Sequence, residues 1–303
     1  MRHGNSQGSP AMQTNIAEMD AAVVFDAVLS NRDFSNLSRF ILAQCGIRIP
    51  PSKKQMLEGR LRRRLRILGF SSFERYLEYL LGPEGEENAE YIHLIDEVTT
   101  NKTDFFRENK HFTFLTRSVL PELIDAHGLG VRKTLNVWSA GCSTGEEPYT
   151  LAIVLSEFAQ QVPAFNFAIL ATDISTKVLE KAGKGIYESA QIDVIPMPLR
   201  KKYLLKSKDR SRNLVRVAPG LRARVRFQRL NLLDRAFAIS QRMGVVFCRN
   251  VLIYFDRATQ EAVLRKICQY LTSGGYLFTG HSETLHNMDL PLEQCNATVY
   301  RKR

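Results

Sequence analysis

From about residue 134 onward, short β-rich apolar runs alternate with stretches of helical periodicity. "TLNVWSA" leads to "EPYTLAIVLSEFA", "NFAILATD" to "TKVLEKAGKGI", and "GVVFCRN", "RATQEAVLRKICQYL", "GGYLFTGH" and "ATVYRKR" continue the series. Strand–helix alternation predicts an α/β domain whose parallel sheet is covered on both faces. One segment departs from the pattern. In "NLVRVAPGLRARVRFQRLNLLD", Val215, Val217, Val225 and Phe227 alternate with Arg216, Arg224 and Arg226. That period predicts an antiparallel hairpin with one wet, basic face, turned at Pro219-Gly220. We therefore expect a small antiparallel β insertion at about residues 196–230.

The first part of the chain reads differently. Residues 1–20 are polar and predict a flexible tail, and residues 21–99 read as an all-α domain. Ser52 with Gln55 predicts a capping box. The helix that follows carries Leu57, Leu61, Leu65 and Leu68 on one stripe and Arg60, Arg62, Arg63 and Arg66 on the opposite side. The leucines predict a core-facing stripe. The arginines, with Glu58 as the one carboxylate among them, read either as a solvated face or as a dock for an acidic partner. "SSFERYLEYLLGP" predicts a second helix, capped by Ser71 with Glu74, and "EENAEYIHLIDEVTTN" a third. Residues 100–112 then link to the α/β domain at 113–303.

A net charge of +11 calls for an acidic partner, either nucleic acid or an acidic protein surface. No apolar run reaches the roughly eighteen residues of a membrane span, so the chain is not expected to insert in a membrane. The five cysteines are scattered and odd in number, which predicts reduced thiols in the cytoplasm. Cys295 with His281 and His286 matches no common zinc spacing, so no metal site is expected.

The function turns on "WSAGCSTGEEPYTL", residues 138–151. In a doubly wound sheet, ligands sit beyond the carboxyl ends of the strands near the switch point, and this loop follows the first such strand. It lacks the G-x-G-x-x-G of a dinucleotide site and the Gly-Lys-Ser/Thr of a phosphate loop. Glu146 and Glu147 at a helix start would repel a pyrophosphate and welcome a cation. The expected guest is a positively charged nucleoside without phosphate. Asp173, ending "AILATD", is placed to accept both ribose hydroxyls; it could also cap the next helix, although Ser175 can do that instead.

"TNKTDFFRE" (100–108), "WSAGCSTGEEPYT" (138–150), "ATDISTKVLEKAGKGIY" (171–187), "NLLD" (231–234), "FCRNVLIYFD" (247–256) and "GHSE" (280–283) together resemble the chemotaxis receptor methyltransferases, the CheR family. The resemblance runs from about residue 35 to the end. It implies a Rossmann-like S-adenosylmethionine-dependent domain with a small β insertion behind an all-α domain. It implies transfer of a methyl group from S-adenosylmethionine to chemoreceptor glutamates, giving 5-O-methyl esters and S-adenosylhomocysteine. Asn101, Thr103 and Arg107 match the family's cofactor contacts. Glu146 or Glu147 would meet the positive methionine end, the resemblance leaning to Glu147. Asp173 would hold the ribose, and Asn231-Leu232 and Asn250-Val251 would flank the adenine and the methionine tail. Tyr254 would lie near the methyl group, with Arg107 orienting substrate or cofactor. The arginine face of Arg60, Arg62, Arg63 and Arg66 would meet the cytoplasmic methylation region of a receptor. In some relatives the β insertion takes up a receptor C-terminal peptide by strand addition.

A nucleic-acid methyltransferase is the alternative raised by the charge. Its usual Asn/Asp-Pro-Pro-aromatic motif is missing, since "CRNVLIYF" stands in that place. Base-stacking aromatics are also missing from the basic stretch 53–66.

Overall fold

The structure is a computed structural model describing residues 27–209 and 211–303; the expected tail and the start of the helical domain lie outside them. The described residues up to Val98, apart from Cys45–Ile47, form one compact unit; Thr99–Arg303 with Cys45–Ile47 form a second.

The first unit holds helices α1 (Asn31–Cys45), α2 (Lys54–Leu68), α3 (Phe73–Leu81), α4 (Pro83–Glu87) and α5 (Glu90–Val98). Leu57, Leu61 and Leu65 of α2 are buried as their spacing requires, each contributing about 1.5–3 kcal/mol. Gly69 (φ +74°) ends α2 in the left-handed conformation, its amide donating to the Arg66 and Leu65 carbonyls. Two expected caps are corrected. Ser52 lies inside a 3₁₀ turn, Pro51–Lys53, which precedes α2, because Pro51 starts the turn one step before the serine. Ser72, not Ser71, caps α3, accepting from the Arg75 amide.

The second unit opens with α6 (Lys110–Phe114), a π-helical turn (Leu115–Val119) and α7 (Leu120–His127). Then come β1 (Leu135–Ala140), α8 (Glu146–Ala159), β2 (Phe167–Asp173), α9 (Thr176–Lys184), β3 (Ile186–Glu188), α10 (Met197–Tyr203), β4 (Leu204–Lys206) and β5 (Leu214–Val217). It closes with α11 (Pro219–Arg222), β6 (Val225–Arg229), β7 (Met243–Cys248), α12 (Arg257–Tyr270), β8 (Leu271–Thr279), β9 (Leu292–Asn296) and β10 (Val299–Lys302).

The main sheet has the order β6-β2-β1-β7-β8-β10-β9. Strands β6, β2, β1, β7 and β8 are mutually parallel; β10 and β9 are antiparallel additions. Period-two alternation sends neighbouring residues to opposite faces. Val137, Ile169 and Val245 join one apolar cluster with α7 and α8. Trp138, Leu170 and Val246 join the other with Val263, Leu264 and Ile267 of α12. The chain runs outward from β1 to β2 and β6, then returns to the other side through β7. The switch point therefore falls between β1 and β7, the place where such sheets bind ligands.

The expected hairpin does not form. β5 pairs antiparallel with β3 and β4 in a separate three-stranded sheet. Pro219 opens α11 instead of a tight turn, and β6 joins the main sheet beside β2. The period-two reading of the side chains holds, with Val215, Val217 and Val225 buried and Arg216, Arg224 and Arg226 exposed. The partner strands differ from that expectation: β6 is one edge strand of the main sheet, and an edge strand shows a wet side as readily as a hairpin does. The small sheet thus draws on residues 186–217, earlier in the chain than 196–230.

Candidate functional site

Beyond Ala140 the chain turns sharply at Gly141 (φ +79°). The Gly141 and Cys142 amides both donate to the Thr172 carbonyl, at 2.8 and 2.9 Å. The loop is thereby tied to the end of β2. Asp173 is buried there, its two oxygens accepting from the Ser143 amide (2.8 Å) and the Ser175 amide (3.0 Å). Ser175 caps α9, so Asp173 is not spent on the cap. The Ser143 hydroxyl donates to the Asn101 carbonyl at 3.0 Å, bringing the segment after Thr99 against the loop. Asn231 accepts from the Leu233 amide at 3.0 Å, Leu232 is buried, and the Leu230 amide reaches the Asp173 carbonyl at 2.9 Å. Thr103 is half-buried.

Helix α8 starts at Gly145 (φ +98°), where a Cβ would lie 2.8 Å from the Tyr187 hydroxyl. Its two opening carboxylates differ in surroundings. Glu146 is buried and accepts from the Thr144 hydroxyl at 2.6 Å. Burial pushes its pKa up, with Thr144 opposing. Glu147 accepts from the Ser139 hydroxyl (2.7 Å) and from Arg249 (3.2 Å). Burial raises Glu147 too, against the pull of Arg249 and Ser139.

Arg249, immediately after β7, was not singled out by the sequence. Its side chain is 2% exposed. It donates to Glu147, to Glu108 (2.9 and 3.3 Å) and to the Arg107 carbonyl (2.6 Å). Burial works to raise the Glu108 carboxyl, but Arg249 and the His281 amide outweigh it and hold it below its ordinary value. Arg107 itself is half-buried and donates to the Lys102 carbonyl at 3.1 Å. The neighbouring Phe105 is fully buried, edge-on to Tyr187 at 4.9 Å.

The opposite wall is the turn after Arg249. Asn250 has φ +59°. The buried Glu283 accepts from the amides of Asn250 (2.8 Å), Ile253 (3.2 Å) and Gly280 (2.7 Å). The "GHSE" stretch therefore supplies a carboxylate that shapes this turn. Tyr254 is half-buried, its hydroxyl donating to the Thr100 carbonyl at 3.4 Å. Burial raises its pKa, with Arg107 opposing, so it stays a neutral phenol at neutral pH. A Cβ on Gly141 would lie 2.2 Å from Val251 Cγ2. Gly141→Ala is expected to push these two walls apart and weaken nucleoside binding about tenfold or more, read by calorimetry against S-adenosylhomocysteine.

His111 packs beneath this region, 3% exposed. Its Nε2 pairs with the Thr298 hydroxyl at 3.0 Å, and its Nδ1 lies 3.5 Å from Glu108. Glu108, His111 and His281 offer ligand atoms within 4.8 Å of one another. The Glu108 oxygen nearest the histidines already holds the Arg249 guanidinium, a charge that opposes a cation there. Cys295 is exposed and, with His286, stands outside this group.

Burial first, then Arg249, pushes the His111 pKa from 6.5 down to about 4, Glu108 pulling the other way. Between those values the unfolded chain binds a proton that the folded one refuses. Its neutral form therefore contributes fully above about pH 6.5, and that contribution is lost as pH falls towards about 4. Stability should decline across this window by no more than about 3 kcal/mol. His111→Gln should flatten that part of the profile in urea titrations at stepped pH.

Of the basic residues on α2, Arg60 donates to the Glu97 and Val98 carbonyls at the end of α5. Arg62 donates to the Ala27 carbonyl and pairs with Glu58 at 2.6 Å. Arg63 and Arg66 are exposed. Arg60 and Arg62 are thus partly engaged in holding their own unit together. Among the described residues no helix is long and apolar enough to cross a membrane.

Two family profiles match the chain: "CheR methyltransferase, all-alpha domain" over residues 32–99 and "CheR methyltransferase, SAM binding domain" over residues 101–301. The chemotaxis protein methyltransferase of Borreliella burgdorferi is 38% identical over 90% of this chain and 95% of its own length. The Salmonella typhimurium chemotaxis protein methyltransferase is 37% identical over 90% of both chains. Among solved structures, PKMT2 from Rickettsia typhi in complex with AdoHcy aligns with a TM-score of 0.31 at 17% identity, covering 60% of this chain and 26% of that one. The family profiles and the two chemotaxis methyltransferase relatives do not favour the nucleic-acid alternative. With both profiles in order and near-full-length relatives well above 30% identity, the chain belongs to the CheR methyltransferase family, with S-adenosylmethionine as its cofactor.

Proposed function

We propose that this protein transfers the methyl group of S-adenosylmethionine to glutamate side chains in the cytoplasmic methylation region of chemoreceptors, forming glutamate 5-O-methyl esters in the cytoplasm. The observation that carries the reading is the set of polar groups gathered at the switch point. Asp173 is fixed by two backbone amides, Glu146 and Glu147 open α8, and the loop turns on Gly141 and Gly145. That donor set fits the cofactor: Asp173 suits ribose hydroxyls, and the carboxylates suit a guest that carries ammonium and sulfonium charge and no phosphate. Between the two, Glu147 is our choice for the methionine end, because Glu146 is buried beneath Thr144. Asn101, Thr103, Asn231, Leu232, Asn250 and Val251 complete the cofactor walls.

When bound, S-adenosylmethionine supplies an electrophilic methyl group. The chain's own residues have a limited task. A substrate glutamate is already ionised at neutral pH, so no general base is needed. Arg107 orients the substrate carboxylate or the cofactor, Tyr254 shapes the methyl channel, and burial of the surrounding walls excludes water. The exposed Arg63 and Arg66, with Arg60 and Arg62 beside them on α2, would meet acidic receptor helices. A receptor C-terminal peptide could add to an edge of the β3-β5-β4 sheet.

Incubation with methyl-labelled S-adenosylmethionine and a receptor cytoplasmic fragment, beside RNA and DNA, tests the reading. Base-labile label on the receptor alone is expected. Label on nucleic acid, or base-stable label on protein, rules out the ester.

A further inference from the structure

Arg107 sits between two residues in strained backbone. Phe106 has φ +54° and Glu108 has φ +56°, a region that non-glycine residues avoid because Cβ crowds the carbonyl. A turn of this kind persists only where its surroundings over-determine it. Phe106 is fixed from one side, its amide donating to the Thr150 hydroxyl at 3.1 Å. Beyond Phe106 one guanidinium holds both the Arg107 carbonyl and the Glu108 carboxylate, while the His281 amide donates to Glu108 at 3.3 Å and the Glu108 carbonyl accepts from the His111 amide at 3.0 Å. Arg249 binds the Arg107 carbonyl at 2.6 Å and the Glu108 carboxylate at 2.9 and 3.3 Å. A third edge of the same group binds Glu147 at 3.2 Å. The guanidinium is itself fixed, its carbon 5.6 Å from the Phe112 ring centroid and 5.8 Å from that of Phe247. It follows β7 directly, a rigid strand buried along its whole length.

We propose that Arg249 is a positioning residue: its buried guanidinium clamps the strained Phe106–Glu108 turn, so that the Arg107 side chain is presented to the reacting groups. This rests on the role given to Arg107 above. A planar fork with five donors can serve a carbonyl and two carboxylates at once. A lysine ammonium carries the same charge without that geometry. Arg249 therefore acts on the reaction through the backbone of Arg107.

Four proteins test this: wild type, Arg107→Ala, Arg249→Lys and the double variant. The assays are kcat and KM for receptor methylation, Kd for S-adenosylhomocysteine, and circular dichroism. Arg249→Lys keeps a positive charge among the carboxylates and is expected to fold. Its kcat should fall about tenfold or more, with KM for the receptor little changed. The double variant should be no slower than Arg107→Ala alone, because a clamp has nothing to present once the side chain is gone. Wild-type kcat in Arg249→Lys, or losses that multiply in the double variant, would overturn the proposal. So would an effect that travels through Glu147, which would weaken S-adenosylhomocysteine binding and persist without Arg107. Normal turnover in Arg107→Ala would instead remove the reading of Arg107, and the clamp with it.

If Arg249→Lys does not fold, Glu108→Gln loosens the same turn by removing the charge the guanidinium grips. A smaller kcat loss that vanishes in the Arg107→Ala background is then expected. An equal loss in both backgrounds is the contrary result.

Discussion

Arg107→Ala is expected to lower kcat for receptor methylation by about 10²- to 10³-fold, the range seen when one oriented donor is taken from a reacting centre. The fold should be unaffected. Arg107 is half-buried, and its guanidinium contact is with the Lys102 carbonyl, five residues away in the same segment. The aromatic packing that pins this segment belongs to Phe105 and Phe106, and the buried ion pairs belong to Arg249. Circular dichroism and thermal midpoint should therefore match wild type within experimental scatter. KM for the receptor should move less than kcat, since an interaction made mainly in the transition state lowers turnover more than binding. Arg107→Lys should recover only part of the loss, because it restores charge without the planar fork. Turnover within twofold of wild type in Arg107→Ala would take this residue out of the mechanism.

The parts of this site that could be read from sequence are those that depend on local order. The strands at 135–140, 167–173 and 243–248 announce themselves as apolar runs, and the loop at 141–145 by its glycines. Strand order places the ends of β1, β2 and β7 together, so Glu146, Glu147, Asp173 and Asn250 fall near one another. Arg249 could not be found this way. Its partners Glu108 and Glu147 lie 141 and 102 residues away, too far along the chain for residue spacing to connect them. Glu283 is similar: three amides from two turns converge on it, and none of that is encoded in residue spacing. The absence of the expected hairpin at Pro219-Gly220 has another cause. Proline-glycine serves a turn and a short helix start equally well, and only pairing along the whole sheet decides between them.

The last expected result concerns the helical unit, where the basic run on α2 hides one arginine of a different kind. Arg64 lies among Arg60, Arg62, Arg63 and Arg66, yet its side chain is 13% exposed and faces Glu90, whose side chain is 1% exposed. The two form a bidentate pair at 2.7 and 2.5 Å, and the buried Tyr76 hydroxyl also donates to Glu90, at 3.1 Å. Glu90 opens α5, so this triad ties α2, α3 and α5 together. Arg64→Met keeps the stem's volume but leaves a carboxylate inside the unit without its counter-charge. Breaking a buried pair from one side typically costs about 3–5 kcal/mol, against about 0–1 kcal/mol for an exposed pair such as the half-exposed Arg265–Glu261. Urea titration of Arg64→Met should show a loss of the larger size in the transition of the helical unit. Arg64→Met combined with Glu90→Leu and Tyr76→Phe should recover most of it, since replacing every member by apolar groups leaves no polar group stranded. A loss below about 1 kcal/mol in Arg64→Met would mean that Glu90 finds solvent or another cation once Arg64 is gone. The burial of this triad would then contribute little to holding the three helices together.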